Sequence, residues 1–321
     1  MTDRPLVSVL ITAYNRERFI GPAIESIIAQ TFTDFEIIVV DDRSTDGTLD
    51  IAHEYAAREA RLRVVANERN LGDYANRNHA ATFARGVFFK YHDSDDLMYP
   101  HCLETMIAPL VARSDAALGL SGHRAWAGGP CPMRLTPRMC YQREFFGGGL
   151  FGLGPASALF RTEAFRSLGG FPERGPHSDF LFWLYACARV NVLLLPTDLY
   201  WYRVHDGQHL QSAQGARDSL PLFEAVWRAL SDPMCPLTPE EQERARAVAV
   251  FRVAKALRSD VRGFRWGLAL ERLRLGPGLR DWAQYLRRPG RDALAGTPLD
   301  TSGDFIMPDW RRRDRGQAQP S

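Results

Sequence analysis

The residues His92-Asp93-Ser94-Asp95-Asp96 carry three carboxylates within four positions, directly after the apolar run Val87-Phe88-Phe89-Lys90-Tyr91. Carboxylates this close repel one another, and holding them together costs free energy unless positive charge sits among them. An oxygen donor set of this kind suits Mn2+ or Mg2+. The alternative is a solvated acidic turn in which Asp95 or Asp96 caps the next helix. Two other polar clusters occupy comparable positions. Asp41-Asp42 follows Phe35-Glu36-Ile37-Ile38-Val39-Val40, and Thr12-Ala13-Tyr14-Asn15 follows Val7-Ser8-Val9-Leu10-Ile11.

Each cluster ends a short, β-branched apolar run that reads as a strand. Between the runs, Phe19, Ile20, Ala23, Ile24, Ile27 and Ile28 recur at helical spacing. A second helix is expected from the Arg43–Gly47 loop to about Glu59, a strand over Leu62–Ala66, and a third helix over Tyr74–Ala84. Strands alternating with helices of about a dozen residues imply a parallel sheet with right-handed crossovers. Ligands of such sheets sit outside the carboxyl ends of the strands. Thr12 to Asn15, Asp41-Asp42, Asn67 to Gly72 and the Asp93 cluster therefore converge on one edge. Neither Gly-x-Gly-x-x-Gly nor Gly-x-x-x-x-Gly-Lys-Ser/Thr follows the first strand, which removes the main support for dinucleotide and P-loop readings.

Further along, a helix over Pro100–Arg113 and a strand over Ala116–Leu120 are expected. Residues 126–150, broken by Gly128-Gly129-Pro130, Pro132, Pro137 and Gly147-Gly148-Gly149, read as an irregular functional loop or mobile lid. Ser157–Phe160, a short helix over Thr162–Leu168 and a Gly169-Gly170-Phe171-Pro172 turn lead to a helix with Asp179 near its start. Trp183 falls on the apolar face of that helix and reads as core. Val192–Leu195 reads as a strand and Tyr200–His205 as an aromatic strand end.

Beyond about Gln214 helical patterns dominate, notably Glu240–Leu257 and Phe264–Leu275. The chain thus divides into an α/β unit, 1–213, and a helical, Arg-rich extension, 214–321, whose tail from Thr297 is expected to fray. From Arg244 to Arg291 thirteen Arg or Lys stand against three acids, interleaved with Val250, Phe251, Leu257, Phe264 and Trp266. Such a stretch is either a peripheral contact with anionic lipid or a lipid-linked acceptor, or an Arg-rich cap on the catalytic unit.

The net charge of +2 gives no argument for a nucleic-acid partner. No apolar run approaches the ~18–20 residues that span a bilayer, and the N-terminus enters a strand pattern without a signal-peptide hydrophobic region. The five cysteines are scattered and never in a Cys-x-x-Cys pair, which suits buried thiols in a reducing cytoplasm.

Taken together, Val9–Asn15 (VLITAYN), Ile38–Thr48 (IVVDDRSTDGT), Asn70-x-Gly72 with Asn76-Arg77-Asn78, and Asp93-x-Asp95-Asp96 resemble the family 2 glycosyltransferases over about residues 5–206. The resemblance implies a GT-A fold: a Rossmann-like, mostly parallel central sheet flanked by helices, here with a helical C-terminal extension. It implies inverting transfer of a sugar from a nucleotide-sugar donor, UDP-linked, to a saccharide or lipid-linked acceptor in cell-surface polysaccharide or glycoconjugate synthesis. Thr12, Ala13, Tyr14 and Asn15 would line the nucleotide pocket, and Asp41 or Asp42 would accept hydrogen bonds from base or ribose. Asn70, Gly72, Asn76 and Arg77 match the segment over the nucleotide and diphosphate. Asp93, Ser94 and Asp95 match the family's DXD, with Asp95 the first choice for Mn2+ or Mg2+, Asp93 beside it and His205 a further ligand. Asp179 matches the catalytic base, although Ser178 replaces the glutamate that usually precedes it. Two other classes compete. A sugar nucleotidylyltransferase would need a Gly-rich basic loop after the first strand, which is missing, and a non-catalytic sugar-nucleotide binder would not need Asp179.

Overall fold

The computed structural model describes residues 4–122, 131–205 and 222–287. The first half alternates as β1 (Val7–Ala13), α1 (Ile20–Ile28), β2 (Phe35–Asp41), α2 (Thr48–Ala56), β3 (Leu62–Ala66), α3 (Asp73–Phe83) and β4 (Phe88–Asp93). Then come β5 (Leu97–Met98), α4 (Cys102–Ala112), β6 (Ala116–Ser121), β7 (Met133–Leu135), α5 (Pro137–Phe146), β8 (Ala158–Arg161), α6 (Thr162–Ser167), α7 (Ser178–Ala186), β9 (Asn191–Leu195) and β10 (Tyr200–Trp201). The C-terminal part holds α8 (Leu222–Ser231), α9 (Pro239–Arg262), α10 (Trp266–Leu275) and α11 (Leu279–Arg287).

Eight strands form one sheet in the order β3-β2-β1-β4-β8-β6-β9-β7. The β3-β2-β1-β4 half is entirely parallel, β8 runs antiparallel to both neighbours, and β7 is antiparallel to β9. This is the mostly parallel, helix-flanked arrangement expected. Strands buried on both faces are mostly apolar, and here Ser8, Glu36 and Lys90 are among the buried polar exceptions. Val9, Ile11, Ile37 and Val39 face α1 and α4, whereas Leu10, Ile38, Val40, Phe89 and Tyr91 face α3, α5 and α7.

Register matters more to function than strand count. Thr12 lies opposite Asp93, Ala13 opposite Asp41, and Asp41 opposite Ala66. Four strand ends therefore stop level with one another, and the polar residues that follow share one edge. Downstream, β5 and β10 pair in a separate two-stranded ribbon, Tyr200 opposite Met98 and Trp201 opposite Leu97. That ribbon carries residues 202–205 back over the acidic cluster.

Three sequence expectations change. Within 126–150, residues 131–150 form β7 and α5 and wall the core instead of a lid, while 126–130 lie outside the described residues. The prolines are not breakers there: Pro137 takes the first position of α5, where its missing N–H is harmless, and the Thr136 hydroxyl accepts the Met139 N–H as N-cap. The acidic cluster caps no helix, because α4 begins only at Cys102 after His101. The aromatic strand end reduces to Tyr200-Trp201. The boundary at 213/214 and the tail from Thr297 lie outside the described residues.

The C-terminal helices pack on the α/β unit and share its core: Val226, Leu230, Leu237, Ala245 and Ala249 join the cluster that holds Trp183 and Phe160. Within that cluster Trp183 stacks on Phe160 at 5.7 Å and donates its indole N–H to the Leu153 carbonyl. Phe165, Phe171 and Phe182 pack around the same pair. This packing fixes the helix that begins at Ser178-Asp179.

Candidate active site

The loops after β1, β2 and β3 are tied together by the residues whose types marked them in the sequence. Asn15 adopts a left-handed φ of 52°, which asparagine tolerates better than most residues. Its side-chain Oδ1 accepts the Thr45 N–H at 2.8 Å, and its backbone N–H donates to the Ser44 hydroxyl. Asp42 accepts from Asn67 Nδ2, Leu71 N–H and Gly72 N–H at 2.8–2.9 Å. Asn70 donates to the Asp42 carbonyl, and Asn76 accepts from Asn67 while its amide points to the Val40 carbonyl. Gly72, at φ 86°, turns the chain into α3. Asn15, Asp42, Asn70 and Asn76 thus hold the loops in place. Asp41 differs: its Oδ2 accepts the Ser44 N–H, but its buried Oδ1 has no donor among the described residues. Of the two aspartates, Asp41 is the one that keeps an acceptor. Tyr14 stands nearby with its side chain exposed.

Each carboxylate of the acidic cluster is compensated in its own way. Asp93 accepts from Arg77 Nη2 at 2.8 Å, while Arg77 Nε binds Asp73 at 2.7 Å. Burial raises the Asp93 carboxyl, but Arg77, His92 and Lys90 outweigh it and hold it below its ordinary value. Asp95 Oδ2 meets Arg16 Nε at 3.3 Å and His205 Nε2 at 3.1 Å. Asp96 is buried; its Oδ1 accepts the Arg203 N–H, its Oδ2 has no donor among the described residues, and burial with the charges of Asp93 and Asp95 pushes it up to about 8. Ser94 is buried beside them. His92, also buried, points Nε2 at the Asp96 carbonyl.

Arg77 joins this cluster to Asp179. The arginine is buried against Tyr74 and Tyr91, and its Nη1 has no acceptor among the described residues. Asp179 opens α7 with Oδ1 accepting its own neighbour's Phe180 N–H at 2.7 Å. Burial pushes its carboxyl up to about 6, against the pull of that N–H, the Tyr74 hydroxyl and the Arg77 charge. A carboxylate with its pKa near neutrality can take a proton more effectively than one at 3.8. Ser178, in the place of the usual glutamate, bonds the Gly175 carbonyl and the Arg174 N–H and fixes the loop before the helix.

Asp95 Oδ2 and His205 Nε2 lie 3.1 Å apart. That matches the roughly 3.0 Å between neighbouring donors of an octahedral cation with bonds of about 2.1 Å. No group of three His, Cys, Asp or Glu side chains that could hold a metal exists among the described residues. Asp93, expected as a third ligand, gives its Oδ1 to Arg77. Two protein donors completed by phosphate oxygens and water are what Mg2+-type sites use. The residues present fit such an ion.

Arg16, Asn67 and Arg203 belong to this edge and carried no sequence signal beyond their neighbourhood. Arg16 Nη1 donates to the Tyr14 and Asn15 carbonyls, and Arg203 Nε donates to the Asp95 carbonyl while its guanidinium lies over Trp201.

The description "Glycosyl transferase family 2" matches residues 8–169, half of the chain. The chain belongs to that family. This family 2 chain is 32% identical over 224 residues to the protein named glycosyltransferase EpsH of Bacillus subtilis (strain 168), covering 66% of this chain and 64% of that one. It is 35% identical over 130 residues to the teichuronic acid biosynthesis glycosyltransferase TuaG of the same organism, covering 40% and 51%. The matches thus span less than two thirds of these relatives' lengths. Among solved structures, S. aureus TarS 1–349 in complex with UDP-GlcNAc superposes with a TM-score of 0.65 at 23% identity, covering 90% of this chain and 89% of that one. The fold is therefore shared with that structure well beyond the matched 162 residues.

Proposed function

We propose that the protein is a metal-dependent, inverting glycosyltransferase that moves a sugar from a UDP-linked donor to a hydroxyl of a saccharide or lipid-linked acceptor. Cell-surface polysaccharide or glycoconjugate synthesis is the process it serves. Family membership supports the chemistry, TarS is named with UDP-GlcNAc, and TuaG is named for teichuronic acid biosynthesis. The observation that carries the reading is Asp179: a half-buried carboxylate at the start of α7 with its pKa pushed up to about 6, within reach of the Arg77 charge that also holds Asp93.

In this reading Asp179 takes the proton from the acceptor hydroxyl as the oxygen attacks the anomeric carbon, and inversion needs one such base. Asp41 Oδ1 accepts a hydrogen bond from the base or ribose, since uracil offers an N–H and carboxylates only accept. Tyr14 supplies an exposed ring at the mouth of the same loop, with Thr12, Ala13 and Asn15 shaping it. Arg77 Nη1 donates to a diphosphate oxygen. Asp95 and His205 would hold Mn2+ or Mg2+, which when bound offsets charge on the departing diphosphate. We place the reaction in the cytoplasm, at the inner face of the membrane; five free cysteines suit a reducing compartment.

The test is nucleotide release from a panel of UDP-sugars with Mn2+ present. The wild type should release UDP, and Asp179→Asn should bind UDP while losing turnover. Wild-type turnover in Asp179→Asn would overturn the base assignment.

A further inference from the structure

The C-terminal helices expose what the rest of the molecule hides. Of the sixteen large apolar side chains exposed among the described residues, seven lie between Val261 and Leu279. Phe264 is 80% exposed and Leu279 90%. In α10 the buried residues are Leu268 and Ala269, whereas Trp266, Leu270 and Leu273 recur at i, i+4 and i+7 and stand exposed. The helix therefore has two apolar faces: one packs on α9 and the other forms an outward stripe.

This corner is built, not frayed. Phe264 holds a left-handed φ of 54°, which a bulky side chain adopts only when its surroundings impose it. Here a buried carboxylate does so. Asp260, 2% exposed, accepts from Arg265 Nε and Nη2 and from Arg272 Nε at 2.8–3.1 Å, and the Arg265 N–H returns to the Asp260 carbonyl. The ion cluster locks the α9–α10 junction and leaves the Phe264 ring facing solvent.

Charge follows the same distribution. Residues 255–287 hold one lysine and seven arginines against three acids, a net +5, which leaves the other 288 residues at −3. Arginines alternating with Trp, Phe and Leu on a fixed surface match the side of an interfacial helix that meets anionic headgroups. A second copy would set +5 against +5. Residues 288–321 carry six arginines and five aspartates, and so bring no net negative charge.

We propose that this surface docks the protein on an anionic lipid bilayer, with Phe264, Trp266, Leu270 and Leu273 at the headgroup–acyl boundary and the arginines on lipid phosphates. The inference rests on the placement at the inner membrane face proposed above, and not on the chemistry of Asp179.

Co-sedimentation of the full chain with phosphatidylcholine vesicles, with or without about one third phosphatidylglycerol, tests it. Binding should require phosphatidylglycerol and weaken as salt rises to 0.5 M, on the order of the screening expected for surface charges. Phe264→Ser/Leu270→Ser should weaken binding roughly tenfold or more. Arg262→Gln/Arg274→Gln/Arg280→Gln should remove the phosphatidylglycerol preference. Both variants alter exposed side chains outside the active site, so their melting curves and UDP release in solution should match wild type. The inference is overturned if the wild type ignores the mixed vesicles, or if both variants bind like wild type. It is overturned equally if this face crosslinks to a second copy or to residues 288–321 while vesicles are not bound. Loss of sugar transfer with intact vesicle binding would count against Asp179 alone.

Discussion

Strand β2 carries a buried acid near each end, and the two ends are treated differently. At the amino end Glu36 accepts from the Ser8 hydroxyl at 2.6 Å and from the Arg85 N–H and Nε at 2.9–3.0 Å. Burial alone would raise that carboxyl, but Ser8 and Arg85 outweigh it and hold it below 4.5. At the carboxyl end Asp41 Oδ1 and Asp96 Oδ2 lack donors among the described residues, and Asp96 and Asp179 are pushed up to about 8 and about 6. Buried acceptors are ordinarily satisfied, because an unmade hydrogen bond costs about 1–3 kcal/mol. The fold meets that rule at one end of the sheet and breaks it at the other. A site made to receive donors from a ligand has that signature.

The sharpest way to break this comparison is a pair of near-isosteric amides. Asp179→Asn should lower turnover by roughly 10³-fold, within the range of general-base loss, while UDP affinity stays near wild type. Glu36→Gln should leave turnover within about twofold, because an acid at the amino end of β2, the far end of the strand from Asp41, contributes only to folding. Equal losses in both would mean that the two ends do not differ in function.

Asp95 gives the next largest effect. Asp95→Asn, or removal of divalent cations with EDTA, should reduce UDP-sugar turnover on the order of 10²-fold, and His205→Ala somewhat less. Added Mn2+ should restore the EDTA-treated wild type and leave Asp95→Asn low. Unchanged activity after EDTA would show that the carboxylate–imidazole pair serves only to fix residues 202–205.

The pH profile is a smaller, more diagnostic effect. A base must be ionised to act, and Asp179 is held at about 6 in place of 3.8. Log kcat/KM should therefore fall by about one unit for each pH unit below 6 and level off above it. A profile flat down to pH 4.5 would put the essential base elsewhere.

Much of this edge was legible in the sequence. Apolar β-branched runs ending in Asn15, Asp41-Asp42 and Asp93 defined both the sheet and its ligand-binding edge, because strand interiors of a parallel sheet are mostly apolar and its ligands sit outside the carboxyl ends. Roles within the edge were less legible. Asp41 and Asp42 are adjacent and identical in type, yet alternation along a strand end sends one carboxylate to the Asn67–Gly72 loop and leaves the other with a free oxygen. Arg16 meets Asp95 across 79 positions of sequence, and Arg77 meets Asp93 across 16; neither pairing has a local pattern to announce it. The segment after Pro130 misled because proline and glycine mark irregular chain only on average. Pro137 behind Thr136 instead marks the start of α5.

The smallest effect is on stability, and its sign separates the two ends most cleanly. Glu36 has a depressed folded-state pKa, so its contribution is present above the unfolded value near 4.5 and is lost as pH falls through the folded value. Glu36→Gln should then destabilise the protein by about 1–3 kcal/mol at pH 7, with the difference shrinking at pH 4. Asp179 runs the other way. Its folded-state pKa is raised, so the folded protein holds the proton through pH 4–6 and bears an ionised, partly desolvated carboxylate above that range. Asp179→Asn should stabilise the fold at pH 8 by roughly 1–3 kcal/mol, and this gain should disappear below about pH 4. Urea unfolding of both variants at pH 4, 6 and 8 reads the signs directly. Destabilisation of Asp179→Asn at pH 8 would mean that its carboxylate is as well satisfied as that of Glu36, and the contrast between the two ends of the sheet would collapse.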